Sequence, residues 1–193
     1  MDAKEKKFGA KQIAYTAVLL AICLISQVFK NLSIFITGPI INTCLVMALL
    51  TVNLPCAIVL CIITPITSFL ITGAPIMSAV PAIIPLIMAG NAVLVVSSWI
   101  LLKKDMIRAG RGAGGVISYL KALVCAALKG VFMWLTISKW LLPGFLPQQS
   151  PLFQKLPVLQ TTFSLHQFIT ACIGFVYVFV IWAVIGKDFQ AEA

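Results

Sequence analysis

The feature that most constrains this chain is a succession of six apolar runs, separated by short polar or proline-containing connections. Hydrophobic residues make up 61% of the 193 residues, and charged residues only 10%. A helix of about 20 apolar residues crosses a bilayer core, and no connection here is long enough to fold alone. The sequence predicts a single all-α integral membrane domain over residues 1–193, built as a six-transmembrane-helix bundle. The predicted spans are about 12–29, 39–52, 56–71, 79–102, 116–142 and 165–185.

Lysine and arginine predict the orientation, because these residues are enriched in loops on the cytoplasmic side. With the N-terminus inside, ten of the 14 basic residues fall in inner segments and three in or near outer ones, with Lys129 inside a span. Both termini are therefore predicted to be cytoplasmic. The net charge of +9 has the same origin. No basic helix or stacking platform indicates nucleic-acid binding.

Residues 63–92 interrupt the apolar pattern with four prolines and end at a midspan amide, Asn91. Helix breakers in lipid are tolerated mainly where protein or a cavity replaces the lost backbone partners. The stretch therefore predicts a cavity wall, with an outer turn at 72–78 as its rim and Asn91 as its floor. Its prolines are Pro65, Pro75, Pro81 and Pro85.

Lys129 is the one charged residue deep within a predicted span, at roughly 20 Å from the inner surface if each residue rises about 1.5 Å. All five acidic residues lie outside the spans, so no carboxylate in a span pairs with it. A lysine at this depth is costly unless it snorkels to the interface, pairs, or meets water. Two interpretations stay open. Either Lys129 snorkels to the interface, or it is a cation that lines a cavity and meets a polar or anionic ligand.

Polar side chains from five different spans, in the outer half or at the midplane of the membrane, predict a small-molecule site that opens outward. An alternative interpretation of Asn91 is that it forms a hydrogen bond between helices. An alternative interpretation of His166 is that it is a solvated residue at the membrane interface. Gln167 belongs to the same group, and aromatic side chains nearby suit a flat ligand. The connections 30–38 and 143–164 are candidate lids. The predicted substrate-binding residues are Gln27, Asn42, Asn91, Lys129, Phe132, Trp134, His166 and Tyr177.

Small residues recur on one face of the first span, at positions spaced i, i+4, i+7 and i+11. Such faces let helices approach closely in lipid. The pattern predicts either close internal packing or the docking of a partner protein. The residues are Ala10, Ala14, Ala17 and Ala21.

Motifs for chemistry are missing from the sequence. It contains no G-x-x-x-x-G-K-[ST], no H-E-x-x-H and no paired carboxylates within spans, and its six cysteines form no Cys-x-x-Cys pair. We therefore expect no enzyme activity, no metal and no cofactor. A pocket with no evident energy source indicates a binding subunit that another protein drives.

These features resemble the substrate-binding S components of energy-coupling factor (ECF) transporters over nearly the whole chain. The resemblance depends on chain length, six spans, internal termini and the alanine face with its two A-x-x-x-A units. It also depends on the proline-rich third-to-fourth turn and the sequence MAGNA at 88–92.

The resemblance implies a multi-pass protein of a bacterial plasma membrane that captures a vitamin or other micronutrient from outside. It implies docking on a transmembrane T protein with two ATPase subunits, where ATP is hydrolysed, and toppling in the membrane to release ligand inside. Ligand contacts are implied for the segments 30–38 and 72–78, and for Asn91, Lys129 and His166.

Without acidic residues in the site, the expected ligand is a flat heterocycle with carbonyl oxygens or a small anion. Two other function classes are less favoured by the residues. One is an intramembrane enzyme that uses Lys129 and His166 as acid and base. The other is a membrane assembly protein that only docks by its alanine face.

Overall fold

The computed structural model describes residues 9–29, 34–109 and 115–190, and these segments contain helices and turns but no strand. Six helical segments are long and apolar enough to cross a membrane, which confirms the all-α, six-span prediction. The positions of the termini relative to a membrane stay a prediction. The candidate spans are Ala10–Val28, Ile34–Thr51, Leu54–Thr72, Ile83–Leu101, Val116–Phe145 and Phe153–Gly186.

Ten α-helices, a π-helix and a short 3₁₀ turn make up the described chain. The α-helices are α1 Ala10–Val28, α2 Ile34–Thr51, α3 Leu54–Thr72, α4 Pro75–Ala79, α5 Ile83–Leu101, α6 Lys103–Ala109, α7 Val116–Met133, α8 Leu142–Phe145, α9 Leu156–Thr162 and α10 Leu165–Gln190. The π-helix, Trp134–Leu141, continues α7 into α8, and the 3₁₀ turn is Phe153–Lys155.

Helix α2 lies at the centre of the bundle. It packs against α1, α3, α5 and α10, and the surrounding helices follow one another in the order α1, α3, α5, α7 and α10. Every residue from Asn42 to Leu50 is buried, and a helix that is apolar on all sides is expected to be enclosed in this way. The prediction of a short second span that begins at Pro39 was wrong. Pro39 lies inside α2, near its N-terminal end, and the helix begins at Ile34.

The connection between α2 and α3 is shorter than predicted, because Leu54 and Pro55 already belong to α3. Asn53 caps this helix, and its side-chain oxygen accepts a hydrogen bond from the Cys56 backbone N–H at 2.9 Å. At the other end Gly73 adopts the left-handed conformation, with φ of 55°, which glycine accommodates without steric cost. The chain can therefore reverse directly into α4.

The predicted boundaries of the last three spans also change. The fourth span begins at Ile83 instead of residue 79, because α4 is a separate helix and Pro81 lies in the turn that follows it. The fifth extends through the π-helix to Phe145, and the sixth continues past residue 185 to Gln190. Much of the predicted loop 143–164 is helical, with α9 as its largest element.

The end of the bundle that carries α6 is closed by polar contacts. The Trp182 indole N–H donates to the Met106 carbonyl oxygen at 2.9 Å, and Lys121 forms an ion pair with Asp105. Helices α4 and α9 lie at the opposite end, which we call the cavity end.

Candidate functional site

A buried lysine joins three helices at the centre of the candidate site. Lys129 on α7 donates from Nζ to Asn42 Oδ1 on α2 at 2.6 Å and to Asn91 Oδ1 on α5 at 2.8 Å. Only 2% of Lys129 is exposed, so its side chain does not reach the surface. The snorkelling interpretation was therefore wrong. We call Asn42, Asn91 and Lys129 the amide–lysine cluster.

Close helix packing positions the cluster. Gly174 of α10 faces Asn42, and a Cβ atom added at Gly174 would lie 2.9 Å from Asn42 Cβ and 3.1 Å from the Pro39 carbonyl oxygen. The hydroxyl of Thr43 donates to the carbonyl oxygens of Pro39 and Gly174, at 2.8 and 3.1 Å. These contacts hold α2 against α10 at the level of Asn42.

The cluster presents hydrogen-bond donors to a ligand. A lysine ammonium has three N–H donors and no acceptor, so both amide oxygens turn toward it and both amide nitrogens turn away. Two of the ammonium donors are used. Within the described part of the chain, the Nδ2 groups of Asn42 and Asn91 donate to no protein group. A bound molecule that carries acceptor groups would be complementary to these donors.

The cluster lines a cavity of about 230 Å³ at the cavity end of the bundle. This volume is below the range of roughly 300–1,000 Å³ usual for drug-sized ligands, so it fits a small molecule. Its lining comes from α2, α3, α4, α5, α7, α9 and α10 and from Ala74 and Phe163, and it is mostly apolar. The polar lining residues are Thr37, Asn42, Thr64, Ser68, Asn91, Lys129, Thr162 and Gln167.

Both segments predicted as lids contribute to the cavity, as does the outer turn. The segment 30–38 contributes Ile34, Thr37 and Gly38 to the lining, and its first four residues lie outside the described residues. The outer turn contributes residues 74, 76 and 77 to the lining. From the loop 143–164 the contributors are Leu159, Thr162 and Phe163.

A reciprocal hydrogen-bonded pair attaches α9 to the π-helix. Ser138 Oγ donates to the Gln160 carbonyl oxygen at 2.8 Å, and Gln160 Nε2 donates to the Ser138 carbonyl oxygen at 2.9 Å. Because Leu159 and Thr162 of the same helix line the cavity, this pair holds α9 over it. Opening the cavity by moving α9 away would break both bonds.

Replacing Gln160 by leucine should accelerate ligand release. The variant loses one hydrogen bond, worth about 0.5–1.5 kcal/mol, so we expect the dissociation rate to rise by about two- to tenfold. The measurement is the washout rate of bound ligand from the immobilised protein. Gln154→Leu is the matched control, since Gln154 is exposed on the same connection. Equal release from both variants would contradict a role for the α9 attachment.

Gln27 lies behind the cavity instead of in its lining. It is fully buried, and its Nε2 donates to the Thr64 carbonyl oxygen at 3.0 Å, which links α1 to α3. Its Oε1 has no hydrogen-bond partner among the described residues. Gln27 therefore positions the wall that Thr64 contributes.

Four other predicted residues also lie outside the cavity lining. The His166 ring packs edge-on against Phe35 at 5.0 Å, while Gln167 beside it lines the cavity. Phe132 packs with the cluster of apolar side chains around Met133. Trp134 is 42% exposed with Lys139 over its ring, and Tyr177 is 45% exposed and lines a separate apolar groove. The structure does not bring these side chains to the amide–lysine cluster.

Two hydroxyl side chains on α3, those of Thr64 and Ser68, line the cavity and were not predicted from the sequence. They have no distinctive spacing, and serine and threonine in apolar helices commonly bond to the preceding turn. Thr64 does so, donating to the Leu60 carbonyl oxygen at 2.8 Å. Their position along the third span was the available signal, because both lie between the middle of α3 and the cavity end of the bundle.

All four alanines of the first-helix face are exposed. The buried residues of α1 are Cys23, Ser26 and Gln27, which lie on the opposite side of the helix. Internal packing of the alanine face, one of the two predicted alternatives, is therefore excluded. The face is left open to lipid or to a partner.

An apolar groove of about 600 Å³ lies between α1 and α10, with α2 as its floor. Its lining includes Tyr15 and Tyr177, and it does not include any residue of the amide–lysine cluster. Among the described residues, no group of three or more His, Cys, Asp or Glu side chains could hold a metal ion.

Comparison of the chain with protein-family models, curated proteins and solved structures returned no match.

Proposed function

We propose that this protein is a substrate-binding membrane subunit of the ECF S-component type, which captures a small micronutrient for import. The observation that carries the proposal is the buried amide–lysine cluster at the floor of a small cavity. A buried ionisable residue within a membrane span is costly and marks functional sites. A membrane anchor or a purely structural bundle has no need of one.

The position of the cavity supports capture from outside. It lies at the end of the bundle that carries α4 and α9, and the distribution of basic residues predicts that this end faces outward. Ligand then enters beneath α9 and meets the cluster near the middle of the bundle. Delivery to the cytoplasm requires movement of the whole subunit or of its helices, which a T protein with two ATPases would drive.

The native protein purified from membranes is the direct test of this proposal. Mass spectrometry under native conditions should find one small molecule retained per chain. Lys129→Ala together with Asn91→Ala should remove that molecule. Retention of ligand by the double variant would contradict binding at the cluster.

The exposed alanine face supports docking to a second membrane protein. Replacing Ala14 and Ala17 by leucine should abolish copurification with a T protein, because the added side chains prevent close helix approach. Ligand retention should be unchanged, since neither alanine lines the cavity. Copurification is measured after coexpression with the T protein and its ATPases.

Val124→Leu and Val131→Leu provide the control, because these α7 residues are also exposed on the surface of the bundle. Unchanged association in the alanine variant would contradict docking through this face. Association without any bound ligand would favour a membrane assembly protein. An enzyme that pairs Lys129 with His166 is not favoured, because His166 does not line the cavity.

A further inference from the structure

Among the residues that the structure describes, no carboxylate faces the ammonium of the amide–lysine cluster. The five acidic residues of the chain are at positions 2, 5, 105, 188 and 192, and none is near Lys129 in sequence or belongs to the cavity lining. Asp105 forms its ion pair with Lys121 at the opposite end of the bundle. Two neutral amides therefore solvate the ammonium without neutralising it.

From this imbalance, and on the basis of the proposed function, we infer that the ligand is a small monocarboxylate with an apolar body. Its carboxylate binds the amide–lysine cluster, and its body lies among the apolar side chains toward α4 and α9. A single negative charge neutralises the site. A neutral ligand leaves the ammonium uncompensated, a cation is repelled, and a dianion leaves one buried negative charge in excess.

Hydrogen-bonding capacity leads to the same ligand class. An ionised carboxylate is an acceptor-only group with two oxygens and about four lone-pair positions. The third donor of Lys129 and the two amide nitrogens are complementary to it. Hydrogen bonds to charged groups are also about twice as strong as neutral ones.

The rest of the cavity selects the body of the ligand. Ile41, Ile76, Met77, Ile87 and Phe163 line it, and aliphatic or aromatic carbon fits such surfaces. At about 230 Å³ the cavity is too large for an inorganic anion alone to fill. The lining also includes Thr64 and Ser68, so this part of the cavity is not purely apolar.

Thermal unfolding of the purified full-length protein tests this inference with matched probes. The sodium salts of acetic, butyric and benzoic acids are titrated against acetamide, butyramide and benzamide, with sodium chloride to equalise ionic strength. Each pair has nearly the same shape and differs in charge. Binding to the native state raises the unfolding temperature, and the stabilisation grows with the logarithm of one plus the ratio of the ligand concentration to Kd.

At least one acid should stabilise the protein at a concentration tenfold or more below that of its amide. The effect should be lost in Lys129→Met and kept in Lys139→Met, which removes the same charge from an exposed residue. Amides as effective as the acids would overturn the inference. So would stabilisation by chloride alone, stabilisation that persists in Lys129→Met, or no stabilisation by any acid. The comparison of acids with amides needs only the unaltered protein, so it stands if Lys129→Met does not fold.

The result can be separated from the proposed function. A neutral molecule that copurifies and depends on the same cluster would overturn the carboxylate inference and leave the binding-subunit proposal intact. If carboxylates stabilise the protein but it associates with no T protein and no ATPases, the carboxylate inference stands and the binding-subunit proposal is overturned.

Discussion

Replacing Lys129 by methionine is expected to lower ligand affinity by at least tenfold and to change the stability of the protein little. The ammonium is the only charge at the cavity floor in the described structure, and it holds both amides in place. A hydrogen bond to a charged group contributes about 1.5–3 kcal/mol, so losing one lowers ligand affinity by about 10- to 150-fold. Retention of the copurified molecule and its dissociation constant are the measurements.

The expected effect of Lys129→Met on the free energy of unfolding follows from what burying the charged and polar groups costs. Removing the buried charge eliminates a desolvation penalty of several kcal/mol. It also leaves two amide oxygens without their donor, at a cost of about 1–3 kcal/mol each, so the two effects largely offset each other. Methionine resembles lysine in length and is flexible enough to fill the space. The unfolding temperature of Lys129→Met should therefore stay close to that of the unaltered protein without ligand.

Lys139→Met is the control for the general loss of a positive charge, and it should affect neither binding nor stability. A large fall in the unfolding temperature of Lys129→Met would identify the cluster as a structural element. In that case the loss of binding would follow from misfolding, and the proposed site would lose its main support.

Replacing Gly174 by leucine is expected to destabilise the bundle and to remove binding with it. The new Cβ would lie 2.9 Å from Asn42 Cβ and 3.1 Å from the Pro39 carbonyl oxygen, and that backbone atom cannot rotate aside. Overpacking typically costs about 1–3 kcal/mol, and a leucine between two helices belongs at the upper end of that range. Separation of α2 from α10 also moves Asn42 away from Lys129.

Gly144→Leu provides the matched control, because no atom lies within 4 Å of a Cβ added at Gly144. Thermal unfolding and ligand retention are measured on both variants. We expect a large fall in both quantities for Gly174→Leu and little change for Gly144→Leu. Similar behaviour of the two variants would show that the close approach of α2 and α10 does not hold the site together.

The polar residues of the cluster could be predicted from the sequence because they are exceptions in apolar spans. Asn42, Asn91 and Lys129 had no compatible surroundings in lipid, and their depth followed from counting residues along each span. The structure brings all three together. Whether Gln167 or the neighbouring His166 faces the cavity depends on how α10 is rotated about its own axis, since consecutive helix residues point about 100° apart. A single interfacial histidine does not reveal that rotation.

The central position of α2 could not be predicted from periodicity. A helix that is apolar on all sides has no polar face to mark its orientation. Pro39 suggested that the helix begins there, because proline is common at the first position of a helix, but Pro39 lies inside α2. The alanine face posed the opposite problem. Its spacing was clear from the sequence, but the same pattern serves internal packing and external docking, and only the exposure of Ala14 and Ala17 distinguishes them.

The sequence by itself determined the fold class and the number of spans, and it included Asn42, Asn91 and Lys129 among eight candidate site residues. These follow from transfer free energies, which depend on residue type and position along the chain. Only the tertiary structure decided that Lys129 is buried between two amides, that α9 covers the cavity and that the alanines face outward. Each of these depends on the rotation and contact of helices, which packing between distant segments sets.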